Sequence, residues 1–198
     1  MIMNNEELRK RFENQRSNKF TIVLNDNELN LLKSAKYIYD SLVTQENWCI
    51  VYIAVITHDR DFDEETHHLK TKHYHLVILF NCNYRIRTVM NTLSDIFKIN
   101  DNQISIDKCT SLEAQSRYLL HLDDYEKVKY FETEVHTNDR DTFNRYINKV
   151  IVRDFHDLIS LVERYNYNLK EIMCNISNYD YWRKYINDLI LDNYRRKF

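Results

Sequence analysis

His73 and His75 stand two apart in the run His73-Tyr-His-Leu-Val-Ile-Leu-Phe-Asn81, whose β-branched and aromatic residues read as a strand. Side chains alternate across a strand, so both imidazoles leave one face and can close on one ion. A histidine on a half-buried strand is more often packed or hydrogen-bonded than ligating, so the pair needs further donors. They come from His58-Asp-Arg-Asp61, placed where the preceding apolar run, 48–57, ends. In an antiparallel pair the end of 48–57 lies beside the start of 73–81, which brings His58 and Asp61 toward His73 and His75. Three imidazoles and a carboxylate then converge, and mixed nitrogen and oxygen donors suit a divalent metal: Mn²⁺, Zn²⁺ or, less comfortably, Mg²⁺. Asp59 and Arg60 hold the turn or touch phosphate, and His67 and His68 lie in a polar loop and are not counted as ligands.

A third group, Ser116-Arg-Tyr-Leu-Leu-His121, comes later in the chain. Tyr118, His121 and Leu122 share a face at helical spacing. That face can enter the core or look across at the metal donors, and periodicity does not separate the two. With fifteen tyrosines in the chain, residue type alone marks none of them as a nucleophile.

These groups need a scaffold. Residues 19–24, 48–57, 73–81 and 102–107 read as strands. A helix capped by Asn25 or Asp26 is expected to run to about Val43, with Leu29, Leu32, Lys36, Tyr39 and Val43 near one face. A second is expected over 85–98, with Ile86, Val89, Met90, Leu93 and Phe97 on one side. The order strand, helix, strand, strand, helix, strand predicts an α+β fold, the ferredoxin-like or RRM-like antiparallel sheet covered by helices. Thr110, three residues before Glu113, reads as a capping box opening the helix that carries Leu112, Leu119 and Leu122. Beyond an acidic stretch, 123–141, helices are expected over 143–165, 168–175 and 178–195. The expected division is therefore a domain over 1–141 and a helical extension over 142–198.

Composition removes other chemistries. The 198 residues include no Gly and no Pro, which excludes a glycine-rich phosphate loop or dinucleotide fingerprint. That absence, with abundant Asn, Ile, Lys and Tyr, fits coding DNA biased toward A and T. Cys49, Cys82, Cys109 and Cys174 form no C-x-x-C pair, which argues against a disulfide scaffold or a cysteine zinc site. The longest uncharged apolar run, 49–56, is far short of the roughly 18 residues of a membrane span, so a soluble, cytoplasmic protein without a membrane partner is expected. With a formal net charge of -2, DNA binding would have to rest on local basic clusters. Such clusters occur at Arg9–Lys19, around Lys70, Lys72, Arg85 and Arg87, and at Arg183–Lys197.

Taken as an ordered set, His58-Asp-Arg-Asp61, His73-Tyr-His75 and Arg117-Tyr-Leu-Leu-His121 with Lys127-Val-Lys-Tyr130 resemble the motifs of Rep proteins from small rolling-circle plasmids, members of the HUH endonuclease superfamily. The resemblance covers about residues 19–131. It implies that His58, Asp61, His73 and His75 bind a divalent metal, Mn or Mg, and that Tyr118 is the nucleophile. The implied activity is nicking and rejoining of single-stranded or hairpin plasmid origin DNA, topoisomerase-like in exchanging one phosphoester for another. A 5′-phosphotyrosine forms, and a free 3′-OH is left for the host replication machinery to extend. Lys70, Lys72, Arg85 and Arg87 are then expected on phosphates, and the C-terminal helices in homo-oligomerisation or origin contacts. Leu122 stands where a second tyrosine would fall four residues after Tyr118, which matches the one-tyrosine class. The loop before His73 lacks the Pro and Gly common in the family. The competing readings are a metallohydrolase that activates water, with Tyr118 a spectator, and a non-catalytic DNA-binding protein whose histidines are packing.

Overall fold

Strands of alternating pattern build a five-stranded sheet in the computed structural model, which describes residues 12–26, 31–63, 66, 68–124, 126–148, 155–176 and 179–196. The strands are β1 (Arg16–Asn25), β2 (Ile50–His58), β3 (His73–Arg85), β4 (Ile104–Lys108) and β5 (His136–Thr137). Their order is β4-β1-β3-β2-β5, and every pairing is antiparallel. Helix α1 (Ala35–Val43) joins β1 to β2, and α2 (Ile86–Phe97) joins β3 to β4. This is the ferredoxin-like α+β layout that the strand and helix order implies, with β5 added at the β2 edge.

The two faces of the sheet differ in chemistry. Phe20, Ile22, Leu24, Ile53, Val55, Tyr74, Leu76, Ile78 and Phe80 form one buried core with Ile38 and Leu42 of α1 and with Ile86, Val89, Leu93 and Phe97 of α2. Each such side chain contributes roughly 1.5–3 kcal/mol on burial. Odd-numbered β3 residues from His73 to Leu79 and even-numbered β2 residues from Tyr52 onward point to the other face, where α3 (Leu112–Leu119) lies. There the Tyr52 hydroxyl meets the Ser116 hydroxyl at 3.1 Å.

Several boundaries differ from the sequence-based expectation. Asn25 does not cap α1, because β1 continues to Asn25, paired with His73. Asp26 does not either: its buried carboxylate takes the Lys72 ammonium at 2.9 Å. The helix opens nine residues later, where Lys33 turns left-handed at φ 53° and the Ser34 side chain accepts from the Tyr37 amide. Its buried face is Ala35, Ile38 and Leu42 rather than the row through Lys36 and Val43, both of which are exposed. Two apolar rows compete on this short helix, and the one starting after Ser34 faces the sheet. Leu29, His67 and the basic residues 9–11 lie outside the described residues. Helix α3 is capped by Ser111, not Thr110, with the Ser111 side chain accepting from the Ala114 amide at 3.1 Å.

The acidic stretch holds the unexpected β5, and Asn138 extends that edge by accepting from the Ile53 amide at 2.9 Å and donating to the Val51 carbonyl at 3.1 Å. Within the expected helix 143–165 the described residues hold α4 (Arg140–Ile147) and α5 (Phe155–Arg164), and residues 149–154 lie outside them. They are followed by α6 (Leu169–Asn175) and α7 (Tyr179–Arg196). The described residues fall into two compact units that divide between Phe143 and Asn144. The second has its own core of Leu158, Leu161, Val162, Ile172, Ile176, Trp182 and Ile186.

The buried row of α1 is directly testable. Ile38→Ala is expected to destabilise the protein by about 2–5 kcal/mol, and Val43→Ala by less than about 0.5 kcal/mol, both read from denaturant unfolding.

Candidate metal centre and nucleophile

The register places the histidines. His58 pairs with His73, and Ile56 with His75, so the three imidazoles share one sheet face at the β2–β3 end. His58 and His75 have ring centroids 4.4 Å apart, and His73 and His75 5.0 Å apart. One nitrogen of each of the three lies within 4.8 Å of the others. Asp61 follows β2 by one turn, with Oδ2 3.3 Å from His58 Nδ1 and 3.7 Å from His73 Nε2. The structure therefore gathers all four expected donors.

Backbone carbonyls fix which nitrogen of each ring is free. His58 Nε2 lies 2.9 Å from the Leu119 carbonyl and His73 Nδ1 2.9 Å from the Thr71 carbonyl. Each of those nitrogens must carry a proton, which leaves neutral His58 with Nδ1 as a bare acceptor facing Asp61 Oδ2, and turns His73 Nε2 toward the same oxygen. His58 Nδ1 is fully buried with no hydrogen-bond partner. A buried acceptor without a donor is costly, and a divalent cation is what this donor set would accept. The residues fit a metal on that ground. His58, Asp61, His73 and His75 could hold it, and the set does not select its identity.

Burial keeps His58 and His75 neutral. Desolvation pulls His75 down to about 2, with the neighbouring His58 and His73 adding to the effect. It pulls His58 down to about 4, against opposing contributions from the Leu119 carbonyl and Asp61. Neutral imidazoles at pH 7 are ready to ligate without releasing a proton.

Tyr118 ends α3 beside this cluster. It is 39% exposed, so its phenol opens to a cleft rather than entering the core. Its ring centroid is 5.5 Å from that of His75 and 5.5 Å from that of His121. The cleft has a volume of about 610 Å³, and besides Tyr118, Asp61, His73 and His75 its lining includes Lys70 and Lys127. Of the basic side chains expected on phosphates, Lys70 reaches this cleft, whereas Lys72 is held by Asp26. Arg85 and Arg87 stand at the opposite end of β3, with Arg87 3.3 Å from Glu13 and 3.4 Å from Asp101.

Lys127 and Tyr130 were given no role from sequence, and His121, read there as sharing a helical face with Tyr118, is placed differently. His121 does not continue a helical face with Tyr118, because α3 stops at Leu119 and His121 turns left-handed at φ 53°. Arg117 braces that turn through Asp123, at 2.9 and 2.7 Å. His121 is turned inward, with Nδ1 2.8 Å from the Val128 carbonyl and 3.8 Å from Asp61 Oδ1. With His58 and Asp61 it forms a second group that could hold a metal. The Lys127 ammonium lies 5.4 Å from the centre of the Tyr118 ring. Burial pulls Lys127 down, but Tyr118, Asp124 and Asp61 outweigh that and leave it above its ordinary value, hence cationic. Tyr130 lies behind Asp61, with its hydroxyl 3.0 Å from Asp61 Oδ1. No periodicity marks residues 120–131; only the motif run Lys127-Val-Lys-Tyr130 hinted at them.

A histidine–carboxylate cluster and an accessible tyrosine thus share one cleft on this sheet. Residues 12–144 match the family described as plasmid replication protein, origin binding domain, and the chain belongs to that family. Plasmid origin DNA is accordingly its partner, and it is a plasmid replication initiator. Among curated proteins the chain finds no match. No helix among the described residues is long and apolar enough to cross a membrane.

The depressed histidines predict a pH dependence. The unfolded rings bind protons below about pH 6.5 while folded His58 and His75 resist them down to about 4 and about 2. Stability is therefore present above pH 6.5 and is lost as the pH falls through this window, by up to about 1.4 kcal/mol per unit for each ring. Metal-free melting curves from pH 7 to 4.5 should shift downward, and His75→Gln should flatten the trend.

Proposed function

We propose that this domain nicks and rejoins one strand of its origin through Tyr118. The observation that carries the reading is the exposed Tyr118 phenol placed beside the His58–Asp61–His73–His75 cluster, within one cleft. The Tyr118 oxygen attacks the phosphorus, a P–O bond forms to the phenol, and the bond to the 3′ oxygen breaks. The phenol gives up its proton and the leaving 3′ oxygen takes one, so the products are a 5′-phosphotyrosine and a 3′-OH. One phosphoester replaces another, which requires no ATP and allows the reverse step to reseal the strand. A bound divalent ion, Mn²⁺ or Mg²⁺, would supply Lewis-acid polarisation of the phosphate.

The chain's own residues do the rest. Lys127, cationic beside the phenol, favours charge on the phenol oxygen and on the approaching phosphate. Lys70, which also lines the cleft, adds a phosphate contact of the kind that makes DNA binding salt-dependent. The free 3′-OH then serves as a primer for the host polymerase. Residues 144–198 serve homo-oligomerisation or further origin contacts, with Tyr181, Leu191 and Tyr194 exposed on α7.

Incubation with Mn²⁺ and a single-stranded origin oligonucleotide should yield a covalent protein–DNA adduct. In Tyr118→Phe the adduct should fall by at least about a thousandfold while origin binding stays nearly unchanged. An adduct of undiminished yield in that variant refutes the nucleophile assignment. Cleavage that leaves a 5′ end free of protein, read by mass spectrometry, would instead mean attack by water.

A further inference from the structure

Tyr130 is buried directly behind Asp61. Its ring stacks on His58, with centroids 4.3 Å apart and planes 8° from parallel. The Arg60 guanidinium carbon lies 4.4 Å from the centre of the same ring. Two groups that close must occupy opposite faces, so the phenol is clamped between an imidazole and a cation. Arg60 is itself held: one of its terminal nitrogens donates to both Glu134 oxygens, at 2.6 and 2.8 Å. Glu134 in turn accepts from the Phe131 amide at 2.6 Å.

With the ring fixed, the hydroxyl has one arrangement. It accepts from the Arg60 backbone amide at 3.0 Å, so its single proton goes to Asp61 Oδ1, also at 3.0 Å. The two oxygens of Asp61 thereby become inequivalent. Oδ1 is engaged by the phenol, whereas Oδ2 faces His58 Nδ1 at 3.3 Å and His73 Nε2 at 3.7 Å.

We propose that Tyr130 is a positioning residue that reserves Asp61 Oδ1 for hydrogen bonding, so that Asp61 offers a divalent cation one oxygen, Oδ2, and not two. Carboxylates bind such ions through either one or both oxygens, and withholding one leaves a coordination position that a DNA phosphate can take. The proposal rests on the reading of the cluster as a metal centre. Tyr130 touches no DNA in it and acts wholly through Asp61.

Tyr130→Phe keeps the ring and its stack and removes only the hydroxyl. In the full-length chain its Mn²⁺ dissociation constant should rise about tenfold, as for other groups that orient a metal ligand. The infrared splitting between the antisymmetric and symmetric Asp61 carboxylate stretches, assigned by its loss in Asp61→Asn, should be wide in Mn²⁺-loaded wild type and narrow in Tyr130→Phe. A dissociation constant within twofold of wild type, or an unchanged splitting, overturns the proposal. So does a splitting that is already narrow in the wild type, a result that stands even where the variant does not fold. A wild type that takes up Mn²⁺ with a wide splitting but forms no adduct with DNA overturns the nicking reading and leaves this one intact; a wild type that takes up no Mn²⁺ overturns both.

Discussion

The site depends on the pairing register of β2 with β3. Because side chains alternate, a slip of β2 by one residue against β3 would send His58 to the face opposite His73 and His75 and turn core residues of β2 toward the cleft. The register is held by the apolar face itself: Ile53 and Val55 of β2 and Leu76 and Ile78 of β3 are buried in the same core. The irregularities in pairing fall between Ile50 and Tyr52 and between Ser17 and Lys19, at the far end of the sheet. The end that carries the imidazoles is regular. Hydrophobic burial on one side thus fixes the geometry of polar groups on the other.

Around that geometry the polar groups are ordered without strong charge. Three carbonyls, of Leu119, Thr71 and Val128, each engage one nitrogen of His58, His73 and His121. Protonated rings this close would repel one another, and desolvation holds the most buried of them neutral. Asp61 brings negative charge to the cluster, and Tyr130 and His121 meet it on the side away from His73. The arrangement is prepared before any cation arrives, which lowers the reorganisation that binding would require.

The parts legible in the sequence are those with local rules. The period of two across His73 and His75 is visible in three letters, and the convergence of His58 and Asp61 follows from the adjacency of two consecutive strands. The α2 face was legible because Ile86, Val89, Met90, Leu93 and Phe97 form its one strong apolar row. The α1 face was not, since the row through Lys36 and Val43 competed with Ala35, Ile38 and Leu42, and only the left-handed Lys33 and the cap at Ser34 decide between them. The placement of His121 and the roles of Lys127 and Tyr130 were hidden for another reason. They belong to a segment shaped by side-chain bonds to carbonyls, by the Arg117–Asp123 pair and by the Arg60–Glu134 pair, none of which has a period to read.

The glycine-free chain also crosses the left-handed region with side chains in place: Lys33, Lys98, His121, Asn166 and Tyr167 have φ between 47° and 58°. Such positions cost roughly 1–2 kcal/mol each for residues with a Cβ. Glycine carries no such penalty, so each of these turns holds a reserve of stability that the present side chains leave unused.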